Sequence, residues 1–480
     1  MLDPFWLLLI GIVVVLGGIL LLRLQAFLAL ILGALLVGSL TSPTALQKYA
    51  ADKKYSAKET RVLTTASVGE RVGTEFGRTC AKIGVLIAMA SIVGKCLLES
   101  GAAERIVRSA LKLFGQNGAP TAFLSSGFLL GIPVFFDTVF YLMIPLGKAA
   151  GIRNRRKYGL YIMCIVAGAT MTHSLVPPTP GPLFVAGELS VNLGLMILGG
   201  IVVGLFTTAS GYLYALWANR RWAIPLRSTP DVSAADLETL SKKKEKDLPP
   251  FWLSILPILL PVVLIAGQTV LQSMIGTGTS EPSAWQKLAV AVMKNLGDSN
   301  IALTISAGIA LATVAVQRRF DGKRIAQLAE QALTSGGLII LITSAGGAFG
   351  GILQQTGIGE RIQELAAAYQ IGILPLAFLV TAMVRTAQGS ATVAMITSVG
   401  ILGSFAANGQ LGFHPLYLAL VIGCGSKPIP WMNDSGFWVM CKMTGMTESE
   451  TLKTCSVMMT LMGVVGLFVV MALARLFPLV

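Results

Sequence analysis

Hydrophobic residues run along this chain in long uninterrupted stretches, at 4–22, 24–42, 80–98, 193–217, 252–275, 299–317, 333–353 and 455–477. Each stretch is close to or above the roughly 20 apolar residues that a helix needs to cross a hydrocarbon core of about 30 Å. The pattern predicts spanning helices, not elements with one wet face. Other apolar segments are interrupted. "APTAFLSSGFLLGIPVFFDTVFYLMIPLG" (119–147) breaks at Gly131-Ile132-Pro133, and "PLAFLVTAMVRTAQGSATVAMITSVGILG" (375–403) carries the polar turn "RTAQGSAT" at the matching depth. Two further arms run into "HSLVPPTPGP" (173–182) and "IPWMNDSGFW" (429–438). Irregular backbone of this kind persists at membrane depth only inside protein or beside a wet cavity.

A shift of 256 residues superimposes these interruptions. It lays "KCLLESGAAERI" (95–106) on "GILQQTGIGERI" (351–362), with Glu104-Arg105-Ile106 on Glu360-Arg361-Ile362, and it pairs Leu160-Tyr161 with Leu416-Tyr417. The chain therefore reads as a duplication. Charge sets the two copies in opposite senses. The loops between 104 and 157 hold eight Lys/Arg, whereas their counterparts hold only Arg361. By the positive-inside rule the first pair is cytoplasmic and the second faces out. Opposite orientation needs an odd number of crossings per copy, so 119–147 and 375–403 are expected to enter and return as re-entrant hairpins.

The expected architecture is an all-α polytopic membrane protein built as an inverted repeat. The first repeat covers 1–218, with its hairpin at about 119–147 and a broken helix at about 158–190. A cytoplasmic linker, 219–250, carries seven Lys/Arg. The second repeat covers 251–480, with its hairpin at about 375–403 and a broken helix at about 415–441. Loop 43–79, with seven Lys/Arg against four acids, falls outside in this register, against the charge rule.

Composition agrees with a lipid bilayer as the surrounding partner. Hydrophobic residues make up 54% and charged residues 12% of the 480, where a soluble domain carries about 25% charged residues. The net charge of +14 lies in loops between apolar runs, so it reads as loop retention, not as nucleic-acid binding. Six scattered cysteines and only His173 and His414 leave little for metal or haem chemistry, and no metal or cofactor is expected. No HExxH or GxSxG motif points to a membrane hydrolase, and a pore repeated by oligomer symmetry is not the pattern seen. Two hairpin tips and two broken helices in inverted copies are the signature of a secondary transporter with a midplane site. Helix ends aimed at such a site favour an anionic solute.

The polar residues of the four breaks are the candidate site. Asp137 closes the first hairpin tip, either as a helix cap or as a functional carboxylate, since an intramembrane acid is a default functional candidate. Arg385 is suited to hold a substrate carboxylate in a planar fork, or to neutralise Asp137 or Asp434. Gln388, Gly389, Ser390 and Thr392 follow it, with side chains for hydroxyl contacts and a glycine for close backbone approach. Asn433, Asp434 and Ser435 form a polyol-reading cluster or cap the next half-helix. Asp137, Asp434 and His173 are the candidates for proton coupling, although a lone histidine ending an apolar arm is also a common core residue.

Together "GIPVFFD", "VPPTPGP", "RTAQGSATVA" and "NDSGFW" resemble the gluconate permease family, proton-coupled symporters of gluconate and related sugar acids within the ion transporter superfamily. The resemblance runs from about residue 70 to the C-terminus. It implies a small anionic sugar-acid substrate, a proton as coupling ion, an elevator-type fold, a homodimer, and a multi-pass place in a bacterial inner membrane. Where the family's proline loop reads Pro-Pro-His-Pro-Gly-Pro, this chain has Thr179 for the histidine, which makes Thr179 a substrate-site candidate. The alternative within carriers is a sodium-coupled carboxylate or dicarboxylate transporter.

Overall fold

The computed structural model describes residues 3–115, 117–227, 247–276, 291–358, 372–407, 411–432 and 434–479. Among these residues every regular element is helical. Among the described residues seven helical segments are long and apolar enough to cross a bilayer: Val68–Glu99, Arg155–Glu188 (interrupted at 176–179), Leu193–Arg221, Phe251–Gln272, Ser299–Arg318, Gly322–Gln355 and Glu448–Leu476. An eighth exists if Ala26–Leu40 and Pro43–Asp52, bent by 102° to each other, count as one span.

Several helices begin earlier than their apolar windows. The region 43–79, expected as a loop, instead holds Pro43–Asp52, Ala57–Thr65 and the first turns of Val68–Glu99. The cause is local. Ser56 with Glu59 and Ser67 with Glu70 form capping boxes, in which each serine hydroxyl accepts from the glutamate N–H and each glutamate accepts from the serine N–H. Asp321 likewise starts Gly322–Gln355 by accepting from Arg324 N–H at 2.9 Å. Helices are polar in such stretches, so an apolar window does not see them.

Two helices, Tyr158–Leu175 and Pro415–Gly425, occupy the centre and are buried almost all round. Their sequences are apolar on every face, which suits a helix with no wet side. Small residues bring neighbouring backbones close. A Cβ at Gly168 would lie 2.2 Å from Leu124 O on Ala119–Leu130, and one at Gly423 would lie 2.5 Å from Ser174 O. The two central helices meet end against end, where the Ser426 and Ser174 hydroxyls lie 3.3 Å apart. Past the breaks the chain resumes as Pro180–Glu188 and Ser435–Thr444.

Each central helix follows a helix–gap–helix unit. Ala119–Leu130 and Phe136–Arg153 are separated by 131–135, the Gly-Ile-Pro break. Ile373–Gln388 and Ala391–Ala407 are separated by Gly389 and Ser390 alone. Gly389 has φ +86°, a left-handed conformation that disfavours any residue with a Cβ and so ends the first arm abruptly. The four elements begin at 119, 136, 158 and 180, and again at 373, 391, 415 and 435. The Glu360-Arg361-Ile362 copy and linker residues 228–246 lie outside the described residues.

Candidate functional site

One cavity of about 410 Å³ lies where the breaks converge. Four helices begin at its wall: Phe136–Arg153, Pro180–Glu188, Ala391–Ala407 and Ser435–Thr444 contribute lining residues from their first turns. A helix start leaves N–H groups without intrahelical partners and carries the positive end of the dipole. Two of the four have a side-chain cap. Ser390 Oγ accepts from Val393 N–H at 3.3 Å, and Asp434 Oδ1 accepts from Gly436 N–H at 2.8 Å. The starts after Phe135 and Thr179 have none.

Of the residues predicted from sequence, Asp137, His173, Arg385, Ser390, Thr392, Asp434 and Ser435 line the cavity. Gln388 and Gly389 lie just behind the wall. The Gln388 amide donates to Ser390 O at 3.3 Å, and Gly389 O accepts from Arg385 Nη1. Thr179 is buried and does not line the cavity; its hydroxyl donates to Val176 O at 2.7 Å, closing its own turn. Asn433 lies outside the described residues.

Arg385 resolves toward the neutralising role. It is 2% exposed, and all three guanidinium nitrogens are engaged: Nε donates to Ser426 O at 3.0 Å, Nη1 to Gly389 O, and Nη2 to the Asp434 carboxylate. Asp434 therefore uses one oxygen as helix cap and the other as counter-ion. The loop that presents it is pinned by its aromatics and neighbours. Trp431 Nε1 donates to Thr386 O at 2.8 Å, Trp438 Nε1 donates to Met432 O at 2.7 Å, and Thr460 Oγ1 accepts from Ile429 N–H at 2.9 Å.

Asp137 sits in the first turn of its helix and does not cap it, because the N-cap is Phe135. A Cβ on Gly436 would lie 3.3 Å from Asp434 Oδ1 and 3.8 Å from Asp137 Oδ1, so the two carboxylates flank one glycine from separate breaks. Asp137 feels the Asp434 charge. Among the described residues no cation pairs with Asp137. His173 packs edge-on against Phe135 at 6.1 Å between ring centroids, and its buried Nδ1 has no hydrogen-bond partner among the described residues.

The residue that sequence reasoning passed over is Lys427. It lines the cavity and is 3% exposed. Its signal was present: a lysine directly after ten apolar or small residues, in the same polar break as Asp434. Thr138, Thr170 and Thr343 complete the hydroxyl-bearing wall.

Comparison with known proteins places this geometry in context. The family model described as GntP family permease matches residues 60–477. A gluconate permease of Pseudomonas aeruginosa is 35% identical over 402 residues, covering 83% of this chain and 86% of that protein. A gluconate permease of Zymomonas mobilis is 32% identical over 424 residues, covering 87% and 89%. Among solved structures, the Alcanivorax borkumensis YdaH transporter shares the fold, with a TM-score of 0.61 at 13% identity over 88% of this chain and 90% of that one.

Proposed function

Because the chain belongs to the GntP permease family, we propose that its central cavity is the transport site for gluconate or a related sugar acid, carried by proton symport. The protein is a multi-pass inner-membrane transporter and not an enzyme. The observation that carries the reading is the convergence of four helix N-termini on one cavity. The starts at Phe136, Ala391 and Ser435 keep N–H groups free, the start at Pro180 adds chiefly its dipole because Pro180 and Pro182 have no N–H, and together they favour an anion without a fixed surplus of cations. A volume of about 410 Å³ falls within the roughly 300–1,000 Å³ of small-molecule sites. The hydroxyls of Thr170, Thr343, Ser390, Thr392 and Ser435 suit a polyol chain.

Coupling belongs to Asp137. A carboxylate substrate entering beside Asp137 and Asp434 is repelled unless one of them is neutral, and Asp434 is already compensated by Arg385. A proton on Asp137 relieves the repulsion and leaves with the substrate on the alkaline side. The remaining charged or titratable lining groups, Arg385, Lys427 and His173, are cationic or neutral. A second substrate carboxylate would add a negative charge to a cavity whose Arg385 is already matched by Asp434, which speaks against a dicarboxylate.

The recurrence of helix starts about 255 residues apart, with the loop charges described above, supports inverted repeats at 1–218 and 251–480. In that arrangement 119–147 and 375–403 are re-entrant, and with the broken helices they form a body that moves against a scaffold of 4–42, 193–217, 252–317 and 455–477, in the elevator manner. A homodimer is the assembly that family resemblance implies. Counterflow tests the function: proteoliposomes preloaded with unlabelled gluconate take up labelled gluconate faster than empty ones. Equal uptake by loaded and empty vesicles overturns the carrier assignment.

A further inference from the structure

We infer that Lys427 holds the substrate's carboxylate, and that Arg385 is a positioning residue of the second hairpin tip. This deepens the sugar-acid reading of the cavity and rests on it. Arginine is the intuitive anchor for a carboxylate, but here three of its five N–H donors, one on each nitrogen, already bond the protein, and its charge is cancelled by Asp434. A substrate carboxylate at Arg385 would displace Asp434 and leave an uncompensated acid within the protein.

Lys427 is in the opposite condition. Its ammonium carries three donors, yet among the described residues it makes no side-chain hydrogen bond and no ion pair within 4.0 Å. It feels the charges of Arg385 and Asp434, which cancel each other as a pair. A buried ammonium without a partner is costly and is retained where an occupant compensates it. Its neighbours complete a subsite. His173, close enough to feel the Lys427 charge, presents an unpartnered buried Nδ1. The Thr170 and Thr343 hydroxyls have donated their hydrogens to Val166 O and Ile339 O, each at 2.7 Å, so only their lone pairs remain for a ligand. The Ser390 hydroxyl accepts from Val393 N–H and keeps its own hydrogen to donate. The chemistry that fits is a polyhydroxy monocarboxylate, its carboxylate on Lys427 and its hydroxyl chain along the threonines.

The test measures competition by gluconate and by its uncharged amide, gluconamide, for labelled gluconate on the purified full-length protein. Wild type is expected to prefer gluconate by about tenfold to a hundredfold, the range of one charge-assisted contact. In Lys427→Met the preference collapses toward one, and in Lys427→Arg it is partly restored. In Arg385→Lys the affinities for gluconate and gluconamide are expected to fall together, so that their ratio stays, and a collapse of the ratio there moves the carboxylate contact to Arg385 and overturns the assignment. Lys427→Met that binds gluconate with the wild-type preference overturns the assignment while leaving the sugar-acid reading intact; wild type that binds neither compound overturns that reading. If Lys427→Met does not fold, amine modification of wild type decides. Saturating gluconate is expected to protect Lys427 from acetic anhydride, read by peptide mass spectrometry, and unchanged modification overturns the proposal.

Discussion

Asp137 and Asp434 have the same side chain at the same cavity and different circumstances. Asp434 is used twice, as cap and as counter-ion, and its charge is structural. Asp137 shares the first turn of an uncapped helix with no cation against it among the described residues. Asp137→Asn mimics the protonated acid. The expected result is that uphill, proton-driven gluconate uptake falls to the level of empty liposomes, while counterflow survives and loses its pH dependence. Retained accumulation with unchanged pH dependence moves the coupling proton elsewhere, with His173 next in line. The contrast between the aspartates also marks what sequence makes legible. That both lie in polar breaks is visible in "GIPVFFD" and "NDSGFW". That Arg385 consumes one of them is not, because the pair spans 49 residues and depends on how two breaks meet. For the same reason Lys427 went unweighed, since its availability appears only once Arg385 is seen to be occupied. Thr179 was drawn in by its place in the proline loop, but threonine readily bonds its own turn, and here it does.

Helices in this molecule pack through small residues, and a glycine set against backbone tests that directly. A Cβ on Gly168 would lie 2.2 Å from Leu124 O and 2.9 Å from Phe128 N, so backbone stands on both sides and neither can rotate away. Gly168→Ala is expected to destabilise by about 1–3 kcal/mol or more, the range for overpacking. Gly73 is the counterpart: it is exposed on Val68–Glu99 with nothing within 4 Å of a Cβ, and Gly73→Ala is expected to stabilise by about 0.5–1 kcal/mol. Thermal melting of both purified variants in detergent reads the difference, and equal shifts would contradict the packing assigned to Gly168. Breaks were legible at this level because glycine and proline punctuate a helix wherever they stand; the gaps at 131–135 and 389–390 fall on the residues that sequence marks. The helices in 43–79 were missed because they are polar, and their only sequence signal is the Ser-x-x-Glu spacing at Ser56 and Ser67.

The described residues show one order of elements twice, a helix–gap–helix unit, then a buried helix, a break and a short helix, with the breaks meeting at Ser174 and Ser426. What converges there is a wall of helix starts, a cancelled Arg385–Asp434 pair, one available lysine and one available acid. In the proposed account that set, loaded with a monocarboxylate, is neutral only when Asp137 holds a proton, so substrate and proton are expected to move one for one. Labelled gluconate uptake into proteoliposomes tests this, with an inward proton gradient imposed in one set and an inward sodium gradient at uniform pH in the other. The expected result is transient accumulation above the external concentration under the proton gradient, abolished by a protonophore, and none under sodium alone. Accumulation driven by sodium with no response to the proton gradient would contradict the charge balance on which the site has been explained.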